Sequence, residues 1–305
     1  MSLLAMLKGN GPSGFGYGST AEDATRGLDL SGRAYLVTGA NSGLGLETAR
    51  VLSLRGARVF AAARTAEKAR AACGAFGAKI HPVACELSDP ASVRACVAAV
   101  KADGAPLDAI ILNAGIMGLP KLRQAHGYEL QFFTNHIGHF ILATGLLSQL
   151  AEKGRVVTLS SAAHQFAPKG GIEFDNLSGE RGYSSWRAYG QSKLANLLFA
   201  KELARRLVGT GKTANAVHPG VIMTNLGRSA AAPLVALGKL VEPLFLKSVP
   251  QGAATQSFAA TNPSLEKVSG EYFVDCNIGK PGALARDAAL AARLWDESER
   301  IVERL

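Results

Sequence analysis

One glycine-rich turn constrains the fold of this chain more than any other feature. A short, mostly apolar strand over 33–37 runs directly into Thr38-Gly39-Ala40-Asn41-Ser42-Gly43-Leu44-Gly45, and a helical run follows. In this context Gly39 allows a tight turn, Gly43 lets the backbone approach a pyrophosphate, and Gly45 permits close helix packing. The first amides of the helix would face the anion, aided by the helix dipole. The turn predicts a phosphate site, with a purely connecting turn as the alternative.

A second feature, Tyr189-Gly190-Gln191-Ser192-Lys193, places a phenol and an ammonium one helical turn apart. Positions i and i+4 share a helix face, so Lys193 would favour the phenolate and lower the pKa of Tyr189 from its ordinary value of about 10. Tyr189 could then act as an acid or a base near neutral pH. Taken alone, the spacing also fits an ordinary surface helix.

The spacing Gly-x-x-x-Gly-x-Gly, together with Tyr-x-x-x-Lys, resembles the short-chain dehydrogenase/reductase superfamily. Further motifs follow in the order of that family and extend the resemblance over nearly the whole chain. They are Asn113-Ala114-Gly115 after an apolar run, Asn135 within Thr134-Asn135-His136-Ile137-Gly138-His139-Phe140, Ser160-Ser161 after a strand-like run, and Pro219-Gly220 followed by Thr224. Several motifs in the right order argue against coincidence.

The resemblance implies a hydride transfer between a nicotinamide cofactor and an alcohol or carbonyl compound. Tyr189 is similar to the family's proton donor, and Ser161 would hydrogen-bond the same substrate oxygen. By the same resemblance, Lys193 would hold the nicotinamide ribose, and Asn135 would fix a water that links Lys193 to solvent. Ser161 lies beyond the last pleat of its strand and Ser160 within it, so Ser160 is predicted to be structural.

The resemblance also implies a cofactor site built from several strand ends. The backbone of 113–115 would line its floor, and Pro219-Gly220 with Thr224 would hold the nicotinamide amide. The predicted cofactor-binding residues are Gly39, Asn41, Ser42, Gly43, Leu44, Gly45, Arg64, Glu86, Leu87, Asn113, Ala114, Gly115, Tyr189, Lys193, Pro219, Gly220, Ile222 and Thr224.

The end of the second strand bears on which nicotinamide cofactor is bound. An acidic residue there would select NAD, but the chain reads Arg58-Val59-Phe60-Ala61-Ala62-Ala63-Arg64. Arg64, with Lys68 one turn later, suits a 2′-phosphate, because guanidinium forms bidentate charge-assisted hydrogen bonds. NADP(H) is therefore favoured over NAD(H), with a solvated surface arginine as the alternative. Where the family usually has an adenine-binding Asp, this chain has Glu86, and Asp89 is a second candidate.

The 27 residues between Ser161 and Tyr189 exceed what the simplest family members use. This insertion contains Phe166 and Trp186, and it makes the chain similar to the retinol-dehydrogenase and WW-domain-oxidoreductase branch. A small hydrophobic alcohol, aldehyde or ketone is the substrate this resemblance implies. The segment 225–247 would cover the substrate, while packing on the core or resting on a membrane surface are alternatives for its apolar side.

Strand-like and helical patterns alternate without a linker, which predicts one α/β domain with a doubly wound, Rossmann-type parallel sheet and helices on both faces. Strands are expected near 34–38, 58–62, 79–84, 107–113, 155–160, 213–218 and 270–274. The resemblance implies a seven-stranded sheet. Residues 1–30 are expected to form an N-terminal arm, flexible over its glycines, and 31–305 the catalytic domain.

Composition narrows the remaining possibilities. The chain has 305 residues and a net charge of +9, but its basic residues are scattered, which argues against nucleic acid. Four cysteines without paired spacing indicate reduced thiols and a cytoplasmic location, and no apolar run is long enough to span a membrane. His136 and His139 lack a third ligand nearby in sequence, so no metal is expected. A homo-oligomer is possible.

Two other readings stay open. The chain could be an NADP(H)-binding sensor or scaffold that has lost turnover, although such a protein would not need the complete set Asn135, Ser161, Tyr189 and Lys193. A light-dependent protochlorophyllide reductase shares the glycine turn and Tyr-x-x-x-Lys, but nothing in the sequence specifically favours a pigment site.

Overall fold

An eight-stranded sheet forms the centre of the protein, seen in a computed structural model that describes residues 8–222 and 246–305. Its strands are β1 (Ala34–Thr38), β2 (Arg58–Ala63), β3 (Ile80–Ala84), β4 (Leu107–Leu112), β7 (Leu150–Leu159), β8 (Thr213–His218), β9 (Tyr272–Val274) and β10 (Asn277–Ile278), while β5 (Gln124–Ala125) and β6 (Tyr128–Glu129) form a separate hairpin. The spatial order is β10-β9-β8-β7-β4-β1-β2-β3.

Seven of these strands run parallel, so the predicted Rossmann-type sheet is confirmed. The short antiparallel β10 at the edge was not predicted. The chain proceeds outward from β1 through β2 and β3, then crosses back to β4 on the other side of β1. Ligands of open α/β sheets bind at the carboxyl ends of the strands where this reversal occurs. The topology therefore directs attention to the ends of β1 and β4.

Helices cover both faces of the sheet. They are α1 (Ala21–Ala24), α2 (Gly43–Leu54), α3 (Ala66–Cys73), α4 (Pro90–Asp103), α5 (Leu130–Phe132), α6 (Gly138–Leu146), α7 (Ser185–Arg206), α8 (Val249–Thr261) and α9 (Ala288–Glu303). Alternate side chains of each central strand point to opposite faces, so Leu36 and Ile110 join one core while Tyr35 and Ile111 join the other. Among the described residues, no helix has both the length and the apolar character needed to cross a bilayer.

The segment before β1 is packed against the domain, so the expectation of a flexible arm over its glycines is wrong for the described residues. The Phe15 ring lies 5.5 Å from that of Phe258 in an edge-to-face contact. Asn277 accepts a hydrogen bond from the Ser13 amide and donates one to the Phe15 carbonyl. Thr20 and Asp23 form a capping box at the start of α1. Aromatic burial and edge-strand hydrogen bonds outweigh the freedom of the glycines.

Candidate active site

The glycine turn lies at the carboxyl end of β1, where it closes over the end of β4. Gly39 and Gly43 have φ of +67° and +54°, a region that favours glycine. A Cβ on Gly45 would lie 2.4 Å from the Gly39 carbonyl oxygen and 2.5 Å from Asn113 Nδ2, so only a glycine fits there. Ser42 precedes α2 and its side chain makes no capping hydrogen bond. The turn and the free helix end fit a pyrophosphate.

The remaining residues of the turn divide between solvent and core. Asn41 is half-buried and Ser42 is exposed beside it. Leu44 instead packs toward α8, because a Cβ on Gly252 would lie 2.7 Å from Leu44 Cδ2. The most exposed residue of the turn is therefore Ser42, directly before the start of α2.

The hydroxyl of Thr38 joins the ends of β1 and β4. It accepts hydrogen bonds from the amides of Asn113 and Ala114, both at 2.9 Å. The Asn113 side chain donates to the Thr38 carbonyl at 2.7 Å. His139 lies 2.9 Å from the same hydroxyl and uses its other ring nitrogen on the Asn135 carbonyl. The backbone of 113–115 is thus fixed beside the glycine turn, which suits a cofactor floor.

Ser161 and Tyr189 meet beyond the end of β7. Ser161 begins a short 3₁₀ turn, Ala162–Phe166, and its Oγ accepts from the Ala163 amide at 3.2 Å. The Ser161 side chain is also hydrogen-bonded to the Tyr189 phenol. Ser160 is buried and its hydroxyl donates to the Lys193 carbonyl at 2.7 Å. Ser161 faces the phenol, whereas Ser160 fastens the strand to α7.

Lys193 and Asn135 lie behind the phenol, beside Gly115. Lys193 Nζ donates to the Leu159 carbonyl at 3.1 Å and lies 5.7 Å from the centre of the Tyr189 ring. Asn135 occupies a π-helical turn, where its side chain binds both backbone groups of Ile116. A Cβ on Gly115 would be 3.1 Å from Asn135 Oδ1 and 3.4 Å from Lys193 Nζ. Asn135 and Lys193 therefore converge beside Gly115, and the Tyr189 ring lies near the Lys193 ammonium.

The predicted lowering of the Tyr189 pKa is wrong for this arrangement. Burial raises the pKa of Tyr189 to about 12, and the hydrogen bond from Ser161 opposes that rise only in part. Burial also lowers the pKa of Lys193 to about 8. Removing both groups from water penalises their charged forms, and this effect exceeds their mutual attraction. Tyr189 is therefore a neutral phenol at neutral pH, with a proton to donate.

Arg64 directly follows β2 and is exposed. In the part of the chain that the structure describes, its guanidinium has no hydrogen bond or ion pair. The carboxylate of Glu86 accepts hydrogen bonds from both the amide and the hydroxyl of Ser88. Asp89 caps α4 through the Ala91 amide, and Leu87 is buried. Arg64 is the available anion-binding side chain here, and both acidic candidates for the adenine position have local partners.

The turn after β8 contains the residues that were predicted to hold the nicotinamide amide. Gly220 has a φ of +94°, and the Lys247 side chain packs directly over it. Ile222 and Lys247 form a parallel bridge. Thr224, and the predicted covering segment up to 245, lie outside the described residues. Pro219, Gly220 and Ile222 thus stand where the prediction placed them relative to β8.

Trp186, beside Tyr189, is one of three exposed large apolar side chains on the segments that follow β7 and β8. Phe166, Trp186 and Val221 are 61%, 54% and 62% exposed, respectively. The Trp186 ring contacts the Tyr189 ring edge-to-face at 6.1 Å. The insertion is anchored to α7, since the Glu173 amide donates to the Gln191 side chain. The surface beside the phenol is therefore apolar at Trp186.

Sequence reasoning missed three residues that shape this site. Thr38 and His139 lie inside motifs that were singled out for their neighbours, so the signal was present but unread. Gln256 on α8 binds Asn113 Oδ1 at 3.2 Å and contacts the hydroxyl of Thr48. No local pattern marks Gln256, because its contacts span more than 140 residues of chain.

The chain is similar to known proteins over most of its length. The sequence model described as short chain dehydrogenase matches residues 33–234. The chain is 42% identical to short-chain dehydrogenase TIC 32 A, chloroplastic, of Brassica napus, over the full length of both. It is 43% identical to retinol dehydrogenase 12 of Mus musculus, over 90% of this chain and 87% of that protein.

Solved structures show the same fold. An uncharacterized protein from Mycobacterium paratuberculosis superposes with a TM-score of 0.73 at 34% identity, over 92% of this chain and 97% of that one. A short chain dehydrogenase from Burkholderia cenocepacia, solved in complex with NADP, gives a TM-score of 0.62 at 26% identity, over 80% and 96% of the two chains.

The predicted phosphate-binding role of the glycine turn can be tested at Gly45. Replacing Gly45 with Ala puts a Cβ into the Gly39 carbonyl and the Asn113 amide, so the turn has to open. We expect Gly45→Ala to weaken dinucleotide binding by about tenfold or more, which corresponds to about 1.4 kcal/mol. Gly74→Ala is the matched control, because nothing lies within 4 Å of its new Cβ. If fluorescence titration finds equal dinucleotide affinities for the two variants, the glycine turn does not form the binding site.

Proposed function

Because the chain belongs to the short-chain dehydrogenase/reductase superfamily, in its retinol-dehydrogenase-like branch, we propose that it transfers hydride between NADP(H) and a hydrophobic alcohol or carbonyl compound. The observation that carries this proposal is the meeting of Ser161, Tyr189 and Lys193 beside the floor at 113–115. Family membership makes the protein an oxidoreductase. The cofactor preference and the substrate class are the parts that we propose.

Tyr189 acts as the acid when a carbonyl is reduced. The nicotinamide group supplies the hydride when bound, and the substrate oxygen then needs a proton. Burial keeps Tyr189 protonated at neutral pH, so its O–H is available for donation. Ser161, already hydrogen-bonded to that phenol, would donate to the same oxygen and stabilise its developing charge. In the alcohol-oxidising direction, the alcohol proton would pass to the phenolate form of Tyr189, because the neutral phenol cannot accept it.

Lys193 and Asn135 replace the proton that Tyr189 gives up. An ammonium with a pKa of about 8 exchanges protons readily near neutral pH. A positive charge near the phenol also favours the phenolate formed after donation. Asn135 holds the adjacent backbone of Ile116 through two hydrogen bonds. Its place beside Gly115 and Lys193 supports a role in leading protons toward solvent.

Replacing Tyr189 with Phe tests the acid. The ring and its contact with Trp186 are kept, while the proton donor is lost. We expect kcat to fall by about 10²–10⁴, the usual contribution of a general acid, with NADPH affinity unchanged. Tyr128→Phe, on the hairpin, is the control and should retain kcat. Near-normal turnover of a good substrate by both Tyr189→Phe and Ser161→Ala would show that the site is misassigned.

Arg64 supports the preference for NADP(H). It is exposed at the end of β2, near the glycine turn, because β1 and β2 are paired neighbours in register. No carboxylate stands at 58–64 to bind the ribose hydroxyls in its place. Guanidinium pairs with a phosphate through bidentate hydrogen bonds that NADH cannot form.

Cofactor titration tests this preference. Wild type should bind NADPH about tenfold or more tightly than NADH, since charge-assisted hydrogen bonds contribute about 1.5–3 kcal/mol before solvent screening. Arg64→Ala should weaken NADPH binding and leave NADH nearly unchanged. Arg70→Ala, which removes an exposed arginine on the helix that follows Arg64, should alter neither. An Arg64→Ala protein that loses both cofactors alike would reduce Arg64 to a surface residue.

The apolar opening supports a hydrophobic substrate. Trp186 exposes a large apolar side chain beside the phenol, and Phe166 and Val221 expose theirs on the segments after β7 and β8. Burying each CH₂ of a substrate against such a surface contributes about 0.8 kcal/mol, or about fourfold in kcat/KM. A series of aldehydes of increasing chain length should therefore show rising kcat/KM until the opening is filled.

Trp186→Ala should flatten that increase without changing the rate with the shortest aldehyde. The exposed residue Leu54 provides the control, because Leu54→Ala removes apolar area far from the site on α2. If short hydrophilic carbonyls are turned over better than bulky apolar ones, the substrate class proposed for this protein is wrong.

A further inference from the structure

Two histidines hold the peptide group that follows Ser161. His164 Nδ1 lies 2.6 Å from the Ser161 carbonyl oxygen. His218 Nδ1 accepts a hydrogen bond from the Ala162 amide at 3.3 Å. The carbonyl of Ser161 and the amide of Ala162 belong to the same peptide group. The two rings therefore hydrogen-bond to both polar groups of that peptide. We propose that His164 and His218 are positioning residues that set the direction of the Ser161 hydroxyl, a role that rests on the proposed function of Ser161.

The sheet does not hold this peptide. The last backbone hydrogen bond between β7 and β8 in this region is donated by Ser160 to the Val217 carbonyl. Beyond Ser160 the chain leaves the sheet and enters the 3₁₀ turn Ala162–Phe166. A peptide at such an exit could rotate and carry the Ser161 hydroxyl away from Tyr189. The Ser161 carbonyl also accepts from the His164 backbone amide at 3.1 Å, so the His164 ring adds a second bond to it, while His218 supplies the acceptor for the Ala162 amide.

The partners of His164 determine its tautomer. A carbonyl oxygen only accepts, so Nδ1 must carry the proton that points to Ser161. The Gly282 amide donates to Nε2 at 3.0 Å, so Nε2 must be unprotonated. His164 is therefore neutral with its proton on Nδ1, and a doubly protonated ring would lose the bond from Gly282.

The partner of His218 requires the opposite tautomer. An amide N–H only donates, so Nδ1 of His218 must be unprotonated and its proton must sit on Nε2. His218 ends β8, and pairing with β9 places it opposite Val274. A charged His218 would have no acceptor for the Ala162 amide. The two histidines thus need different tautomers to hold one peptide.

The surroundings keep both rings neutral. Burial lowers the pKa of His218 to about 4; Asp275 opposes this shift, while Lys247 and His164 add to it. Lys247 and Asp275 form an ion pair at 2.6 Å, which reduces the pull of the carboxylate. Burial also lowers the pKa of His164, whose other close neighbour is the Tyr272 ring at 5.5 Å. Both hydrogen bonds to the peptide group therefore persist at neutral pH.

Nitrogen NMR of the histidine-labelled full-length protein tests the tautomers directly. The six histidine signals can be assigned through single substitutions. At pH 6.5 we expect His164 to be neutral with the proton on Nδ1, and His218 to be neutral with the proton on Nε2, with or without NADPH. A charged ring, or Nδ1 protonated on His218, would overturn the proposal whatever the activity of the enzyme.

A matched pair of variants at His218 tests the effect on the reaction. In His218→Asn, Oδ1 can take the place of Nδ1 as acceptor, whereas His218→Leu has no acceptor. We expect kcat of His218→Leu to fall by about tenfold or more while KM and NADPH affinity change little, because misdirecting a catalytic group lowers only the chemical step. His218→Asn should retain most of the wild-type kcat.

A second pair at His164 separates its two bonds. Asn keeps a donor near the Nδ1 position, and Gln keeps an acceptor near the Nε2 position. His164→Asn should therefore preserve kcat better than His164→Gln. The reverse order would mean that His164 serves the Gly282 backbone and not Ser161, and would refute its positioning role.

Ser161→Ala distinguishes failure of this inference from failure of the proposed function. If Ser161→Ala loses activity while His218→Leu keeps the wild-type kcat, the positioning role of the histidines is refuted and the function of Ser161 stands. If the Asn and Leu variants at 218 lose kcat equally and unfold at equally lowered temperatures, His218 is structural only and the inference fails.

Discussion

The close approach between the ends of β1 and β4 determines where every other part of the site lies. Two glycines without side chains let α2 descend onto the turn, and the Thr38 hydroxyl binds the Asn113 and Ala114 amides across the gap. From β4 the parallel register passes to β7, which carries Ser161, and from β7 to β8, which ends at His218. A side chain at Gly45 would therefore push apart the ends of β1 and β4. The strand ends that carry the other site residues are placed relative to these two.

The reactive groups lie on a helix that is otherwise part of the core. From 189 to 200, every residue of α7 is buried, and its polar members have fixed partners. Gln191 accepts from the Glu173 amide, while Lys193 and Asn196 both donate to the Leu159 carbonyl. Buried polar groups are tolerated when they are hydrogen-bonded. This environment fixes the geometry of the phenol and the ammonium and also shifts both pKa values toward the neutral forms.

Much of the fold could be predicted, because apolar strands and helical patterns alternate regularly and are local signals. The spacing of Tyr189 and Lys193 predicted their proximity, but not the burial that raises the pKa of Tyr189, since burial depends on distant elements. The docking of the N-terminal segment was missed for the same reason. Phe15 contacts Phe258 and Asn277, and no pattern within a few residues of Phe15 reveals either partner. Glycines indicate backbone freedom only where such contacts are absent.

An ion pair between buried Lys247 and partly exposed Asp275 connects that N-terminal segment to the turn after β8. Lys247 Nζ lies 2.6 Å from Asp275 Oδ1 and 4.9 Å from the centre of the Tyr17 ring, while the Lys247 stem packs over Gly220. Asp275 and Cys276 both have positive φ, as the two-residue turn between β9 and β10 requires. A buried pair adds little net stability, yet an unpaired buried charge is costly, so such pairs fix an arrangement. Lys247 therefore fixes three parts of the chain relative to one another: the N-terminal segment, the hairpin of β9 and β10, and the turn after β8.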